Sequence, residues 1–215
     1  MLNFILLILI YSGIYALMAI GQNLITGYVG LLSLTQAGFF AIGSYATAIL
    51  TVTYGWGFWA TVPVAAMIAG FFGLIIGLPT LRLKGDYLAI ATLGFGEIVR
   101  NILNNWDSLT NGPMGIRGIP MATMFGARIN PFTKWGFIVM VWVIVLLAYV
   151  LFERLAKSRI GRALEAIRED EIASASMGIN TTSYKVWAFV LGASVAGVAG
   201  SLQAAFILSV TPSVF

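Results

Sequence analysis

Long apolar stretches separated by short polar segments make up most of this chain, and residues 1–81 contain no charged side chain. A membrane-spanning helix needs roughly twenty apolar residues, because each residue adds about 1.5 Å along the helix axis. The stretches that meet or approach this length are Leu2–Ile20, Ile25–Val52, Trp59–Pro79, Tyr87–Leu103, Trp135–Phe152 and Val186–Val210. The pattern predicts an all-α, polytopic transmembrane helical bundle of about six spans.

Glycines modify this prediction in two places. The second stretch is interrupted by four of them, Gly27, Gly30, Gly38 and Gly43. It therefore fits either one span or a re-entrant turn followed by a span, and the second choice moves the N-terminus to the other side of the membrane. Small residues also recur at four-residue spacing in the pair Gly73 and Gly77 and in the series Gly192, Ala196 and Gly200. Such spacing favours close packing of membrane helices.

A segment dense in charge, Glu153–Glu171, holds half of the 12 basic and 8 acidic residues of the chain. Ile160, Leu164 and Ile167 recur at helical spacing, which predicts one apolar face. Ser158 is suited to cap the start of this helix and Gly178 to follow the last turn, after which Asn180 or Thr181 caps the next helix. The pattern predicts an ordered loop over 153–183 with an amphipathic helix.

The signs within this charged segment are balanced, with five basic and five acidic side chains. A lipid-binding segment would be strongly basic, whereas mixed charge beside an apolar stripe suits docking into a protein groove. A solvated loop with incidental charge is the alternative. Because basic residues gather on the cytoplasmic side, this segment is placed inside. The basic residues inside are then Arg82, Lys84, Arg154, Lys157, Arg159, Arg162, Arg168 and Lys185, against Arg117, Arg128 and Lys134 outside.

The outer side then carries the longest non-spanning segment, residues 105–134, which is rich in proline and glycine. Such composition predicts a loop with short helices. It serves either as a plain connector or as the contact for an external protein that delivers a substrate.

Composition supports a membrane protein and excludes several kinds of chemical site. The chain is 60% apolar and 9% charged, with a mean hydropathy of +0.94. It has neither cysteine nor histidine, so disulfides, thiolate metal sites and histidine bases are excluded, and we expect neither a catalytic nor a metal site. The net charge of +4 is spread over loops, which does not indicate nucleic-acid binding. None of the lysines follows a glycine, so a phosphate-binding loop for ATP is absent from this sequence.

Two charged residues lie inside the fourth stretch, Glu97 and Arg100. Insertion scales assign about 2.5–3.5 kcal/mol to an Asp, Lys or Arg at a helix centre. Mutual pairing on one helical face or a watery path offsets that cost, so both a structural ion pair and a place in a translocation route remain open. The residues that could add polar groups to such a route are Ser33, Thr35, Gln36, Asn101 and Asn104.

Three stretches together resemble the permease subunits of branched-chain amino acid ABC transporters, in the LivM-like branch. They read NLITGYVGLLSLTQAGFFAIGSYATAIL over Asn23–Leu50, LRLKGDYLAIATLGFGEIVRNILNNWDSLTNGPMGIRGIP over Leu81–Pro120 and SRIGRALEAIREDEIASASMGINTTSYKVWAFVLGASVAGVAG over Ser158–Gly200. They cover roughly half of the chain, in the order of the family. Thr35 stands where such permeases often have glycine, which could alter packing near Gln36.

The resemblance implies an importer in the plasma membrane of a bacterium or archaeon. Its parts are two ATP-binding subunits, two permease subunits (two copies of this chain or this chain and a sister) and an external substrate-binding protein. The importer's ATP and magnesium bind in the partner subunits, and this chain holds no cofactor. The third stretch matches the loop that docks into the ATPase, and the coupling residues carried over are Gly161, Arg162, Ile167, Arg168, Glu169 and Gly178. The ligand implied is a small amino acid with an aliphatic side chain.

Family members often have further apolar segments before and after the part seen here, so we expect residues 1–215 to be one permease domain that is incomplete at one or both ends. A urea or short-amide ABC permease is the nearest alternative. A secondary transporter or channel, which would run without a nucleotide, is the alternative from another class.

Overall fold

The computed structural model describes residues 2–80, 83, 85–124, 127–128 and 135–215. Helices dominate this part of the chain, as the long apolar stretches require. The α-helices in it are α1 (Leu2–Gln22), α2 (Gln36–Val52), α3 (Phe58–Thr80), α4 (Asp86–Asn105), α5 (Asp107–Thr110), α6 (Trp135–Lys157), α7 (Arg159–Glu169), α8 (Glu171–Ser176) and α9 (Thr181–Ile207). A π-helical turn over Asn23–Tyr28 continues α1, and short 3-10 turns occur at Gly112–Met114 and Pro212–Val214.

Four helical segments in the described residues are long and apolar enough to cross a membrane: Phe4–Tyr28, Phe58–Pro79, Trp135–Lys157 and Thr181–Ile207. The outer face of α6 exposes large aliphatic side chains along its length, as lipid contact requires. The prediction of an all-α, polytopic membrane protein is therefore confirmed. Six spans are not, because α2 has only 17 residues and the 20 residues of α4 include Asp86, Glu97 and Arg100.

The second predicted stretch, Ile25–Val52, is not one continuous helix. Its first residues finish the π-helical turn, and residues 29–35, called the break below, have no regular structure. Gly30 has a φ of +76°, which is the left-handed region that ends helices and that glycine adopts without strain. The Leu31 N–H donates to the Ile25 carbonyl 3.1 Å away and closes the turn. The interruption predicted from the glycines therefore falls at Gly30, ahead of α2.

Helix α9 runs through the centre of the bundle and packs against α1, α2 and α3. Its small residues let these neighbours approach closely, since no hydrophobic effect drives helices together in lipid. A Cβ atom added at Gly192 would lie 2.9 Å from the Gly21 carbonyl oxygen of α1, and one added at Gly73 would lie 2.7 Å from the Ala193 Cβ atom. Gly43 of α2 faces the α9 backbone more closely still. The close packing predicted at Gly73 and Gly192 is confirmed.

The predicted last span, Val186–Val210, differs from α9 at both ends. The helix begins earlier, at Thr181, and ends at Ile207 because Leu208 takes a left-handed φ of +60°. Ser209–Val210 then forms a strand, β4, that pairs antiparallel with β1 (Ile116–Arg117) in the predicted outer loop.

The described part of that loop, residues 105–124 and 127–128, contains α5, a 3-10 turn, β1 and a second short antiparallel pair. This pair is formed by β2 (Thr123–Met124) and β3 (Ala127–Arg128). The short helices were predicted and the strands were not. Of the basic residues used to predict orientation, Arg82, Lys84 and Lys134 lie outside the described residues, and only the backbone of Arg128 is described.

Candidate functional site

Three of the residues predicted to add polar groups to a translocation route lie in or next to the break, in the interior of the bundle. Ser33 and Thr35 are fully buried, and their hydroxyl oxygens share a hydrogen bond of 2.8 Å. The Gln22 Nε2 of α1 donates to the Ser33 carbonyl oxygen 2.6 Å away. Thr35 therefore satisfies its hydroxyl within the break.

The third residue, Gln36, begins α2 and is 8% exposed. Neither its Oε1 nor its Nε2 has a hydrogen-bond partner among the described residues. A buried polar group left unpaired costs about 1–3 kcal/mol, so this amide keeps hydrogen-bonding capacity in the protein interior.

Helix α4 is hydrogen-bonded to the break through the Thr92 side chain. The Leu34 N–H donates to the Thr92 Oγ1 3.0 Å away, and the same hydroxyl donates to the Ala89 carbonyl oxygen at 2.9 Å. Threonine in the interior of a helix commonly bonds back to its own backbone, and here its hydroxyl also accepts from a segment that lacks regular structure. The break is thus held between α1 and α4.

Glu97 and Arg100 lie one turn apart on α4 and face a cleft between α4 and α2. The Arg100 Nη1 is 3.7 Å from the Glu97 Oε1, and the two side chains are 44% and 58% exposed. The cleft has a volume of about 300 Å³ and is otherwise apolar. Its other lining residues are Leu34, Ala37, Gly38, Ala41, Leu93, Gly96 and Phe215.

The other residues predicted for a translocation route, Ser33, Thr35, Gln36, Asn101 and Asn104, do not line this cleft in the described structure. The Asn101 Nδ2 donates to the Glu97 carbonyl oxygen 2.9 Å away, so its amide is used on the α4 backbone. Asn104 lies a turn beyond and is half-buried. The structure therefore brings Glu97 and Arg100 beside the break, through Leu34, and leaves both asparagines outside the cleft.

The charged segment forms the end of α6 followed by α7 and α8, with the end signals that the sequence predicts. The Ser158 Oγ accepts from the backbone N–H of Ile160 at 3.1 Å, and the Asn180 Oδ1 accepts from the Ser183 N–H at 3.1 Å. Gly178 has a φ of +87°, in the left-handed region. The predicted caps at Ser158 and Asn180 are confirmed.

The apolar face of α7 is narrower than its spacing suggests. Leu164 and Ile167 are buried at 2% and 3% exposure, but Ile160 is 44% exposed. The three residues were predicted to share one helical face, and the structure buries two of them while Ile160, in the first turn, stays exposed. Gly161 is buried because its Cα faces the Ala156 carbonyl oxygen at the corner between α6 and α7, where a Cβ atom would collide.

The charged residues of α7 predicted to take part in coupling are all exposed, but Arg168 also contacts the bundle. The Arg162 Nη1 donates to the Lys157 carbonyl oxygen at 3.2 Å. The Arg168 Nη1 donates to the Gly27 carbonyl oxygen 2.6 Å away. Its stem packs on Gly30, since a Cβ atom added there would lie 2.9 Å from the Arg168 Cγ. Arg168 thus connects α7 directly to the start of the break.

Helix α8 is attached to α9 by an ion pair. The Lys185 Nζ lies 2.5 Å from the Glu171 Oε1, and the lysine side chain is only 7% exposed. This pair was not predicted from the sequence, and neither was the role of Gln22 and Thr92 in holding the break. A polar residue within an otherwise apolar helix could have indicated these contacts, because in lipid such a residue favours a specific partner. Within the described residues no group of acidic side chains is placed to hold a metal ion.

Apolar helices long enough to cross a bilayer, packed around a central α9 and joined to a charged extramembrane segment, define a multi-pass membrane protein. The family model described as branched-chain amino acid transport system / permease component matches residues 4–215. The chain therefore belongs to this family.

The names of related proteins are consistent with this family. The chain is 42% identical over 223 residues to the high-affinity branched-chain amino acid transport system permease protein LivM of Salmonella typhimurium, covering 94% of this chain and 52% of that protein. The Escherichia coli protein of the same name is 41% identical with the same coverage. The probable LivM of Methanocaldococcus jannaschii is 24% identical over 100% of this chain and 71% of that protein.

The chain thus spans about half the length of the first two relatives. The comparison with solved structures finds no match.

Proposed function

We propose that this chain is a permease subunit of an ABC importer, and that it forms part of the path by which branched-chain, aliphatic amino acids cross the plasma membrane of a bacterium or archaeon. The family description and the relatives' printed names support this substrate class. Because the chain spans about half of those relatives, the activity is proposed for the whole protein. The protein is not an enzyme, and ATP is hydrolysed in partner subunits.

The proposed assembly contains two ATP-binding subunits, a second permease subunit and an external substrate-binding protein. The charged segment faces the cytoplasm. Helices α2 and α4 also lie within the bilayer, where their 17 and 20 residues extend about 26 and 30 Å at 1.5 Å per residue. The bilayer core is about 30 Å thick, so α4 can span it, and α2 does so together with the break that precedes it.

The observation that carries the coupling part of this proposal is the bond from Arg168 to Gly27. Helix α7 packs through Leu164 and Ile167, and Arg168 joins it to the turn where α1 ends and the break begins. The break in turn is bonded to Thr92 of α4. A displacement of α7 by an ATPase subunit is thereby transmitted to both walls of the cleft.

The surface that would meet the ATPase subunit is exposed beside Arg168. Glu169 points to solvent, and two apolar side chains stand free of the bundle, with Ile172 75% and Met177 84% exposed. Exposed apolar groups rimmed by charge are typical of a protein interface. Balanced charge disfavours an anionic lipid surface as the partner.

Charge reversal on α7 tests this proposal in the reconstituted importer. Glu169→Arg is expected to lower both leucine uptake and recovery of the ATPase subunit with the permease, since Glu169 lies on the docking surface. Arg168→Glu is expected to lower uptake while the ATPase subunit still co-purifies, because Arg168 faces the break. Arg154→Glu, an exposed reversal in the last turn of α6, is the matched control.

Unchanged uptake and unchanged ATPase recovery in both variants would contradict the coupling. Leucine uptake that persists in proteoliposomes without any ATPase subunit would instead favour a secondary transporter or channel. Urea uptake in place of leucine uptake would favour the short-amide permease.

A further inference from the structure

We infer that the cleft between α2 and α4 binds the zwitterionic head of an aliphatic amino acid, with its carboxylate on Arg100 and its ammonium on Glu97. The inference rests on the proposed function for the substrate class and adds to it the groups that recognise the substrate. Glu97 and Arg100 are two charged side chains in a largely apolar molecule.

Glu97 and Arg100 are paired too loosely to satisfy one another. Their nitrogen and oxygen atoms are 3.7 Å apart, whereas hydrogen bonds between charged groups measure about 2.7–2.9 Å. A guanidinium has five donors and a carboxylate about four acceptor positions, and one loose contact leaves most of them available. Both side chains line the cleft and are about half exposed. Each can therefore accept a second partner without breaking a strong bond.

An amino acid zwitterion matches the sign and the spacing of this pair. Its carboxylate and ammonium are both bonded to one carbon atom, and the Cβ atoms of side chains one helical turn apart are about 5–6 Å from each other, so two such side chains can reach the two groups. Arg100 can hold a carboxylate with two parallel hydrogen bonds, while Glu97 accepts from an ammonium. The pair and the zwitterion are each neutral overall, so binding adds no net charge in a region where an isolated charge is costly.

The rest of the cleft suits an aliphatic side chain. Leu34 and Leu93 are half exposed and line it together with Ala37 and Ala41. Gly96 provides the space, because a Cβ atom added there would meet nothing within 4 Å. The volume of about 300 Å³ is at the small end of ligand pockets. A charged side chain on the ligand would find no partner on these apolar walls.

Thiol labelling in the assembled importer tests the site, because residues 1–215 contain no cysteine. Leu93→Cys places one thiol in the cleft, and its reaction with a water-soluble methanethiosulfonate is followed in membranes. We expect L-leucine at about ten times its Kd to slow labelling about tenfold. Leucinamide lacks the carboxylate and isocaproate lacks the ammonium, so neither should protect. Arg154→Cys, which is exposed in the last turn of α6 and lies outside the proposed docking surface, should label at a rate independent of leucine.

Second substitutions in the Leu93→Cys chain assign the two charges. Arg100→Gln and Glu97→Gln should each abolish the protection by leucine. Gly96→Leu fills the cleft with a strong helix former and should weaken the protection severalfold. Gly94→Leu is its matched control, since a Cβ atom there also meets nothing within 4 Å but Gly94 does not line the cleft.

The outcomes separate this inference from the proposed function. If the importer with the unaltered chain takes up leucine but leucine leaves the labelling of Leu93→Cys unchanged, the site is wrong and the function stands. Protection by leucinamide or isocaproate equal to that by leucine also overturns the site. If the unaltered importer does not take up leucine, the proposed function fails and this inference fails with it.

Discussion

Replacing Glu171 by glutamine should loosen α8 from the bundle. Lys185 is 6% exposed and holds Glu171 at 2.5 Å, so the substitution leaves a buried ammonium without its carboxylate. Breaking a buried ion pair in this way costs about 3–5 kcal/mol, but the Glu171 side chain is 38% exposed and solvent screens part of the interaction. We therefore expect a loss of about 2 kcal/mol, less than the fully buried case. This corresponds to about a 30-fold increase in local opening, at 1.4 kcal/mol per factor of ten.

Hydrogen exchange of the α8 amides in the assembled complex measures this opening, since exchange follows the population of the locally open state. Glu171→Gln should raise the exchange rate over residues 171–179 by about 30-fold. Adding Lys185→Gln removes the unpaired charge and should restore most of the protection. Glu153→Gln, which breaks the exposed pair with Lys157, is the control and should leave α8 unchanged. Unchanged α8 exchange in Glu171→Gln, or equal acceleration in the double variant, would refute the reasoning.

Three further substitutions test other contacts. Gly43→Ala should lower the yield of folded chain in size-exclusion chromatography, because its Cβ atom would collide with the α9 backbone, while Gly94→Ala should not; equal yields would contradict the packing. Asn180→Ala should cost about 1 kcal/mol, seen as faster hydrogen exchange in the first turn of α9, and no change would show that the cap is dispensable. Thr92→Val should expose the Leu34 amide to faster exchange, and unaltered exchange would show that this bond does not hold the break.

Most of the helical framework could be predicted from the sequence because a bilayer permits few backbone conformations. Long apolar runs must satisfy their backbone groups internally, so the helices now seen as α1, α3, α6 and α9 followed directly from length and composition. The caps at Ser158 and Asn180 were also predictable, since capping depends on residues close together in sequence.

Contacts between distant segments were beyond the same reasoning. Nothing local to Arg168 indicates that its side chain bonds Gly27 rather than an external partner, because that choice depends on how α7 is placed against α1. The exposure of Ile160 beside the buried Leu164 and Ile167 could not be predicted for the same reason, since periodicity gives a helix face and not the extent of its partner. Glu97 and Arg100 were predicted to share one helical face, but the cleft beside them required the position of α2.

Helix α9 is held at both of its ends by segments that lie outside its own run of residues. The Lys185 and Glu171 pair joins its second turn to α8, and the pairing of Ile116 with Val210 joins the chain just beyond its last turn to the predicted outer loop. Its 27 residues extend about 40 Å between these attachments. A shift of α9 along its axis must therefore move both α8, on one side of the bilayer, and β1, on the other. Helix α9 thus couples movements at the two faces of the membrane.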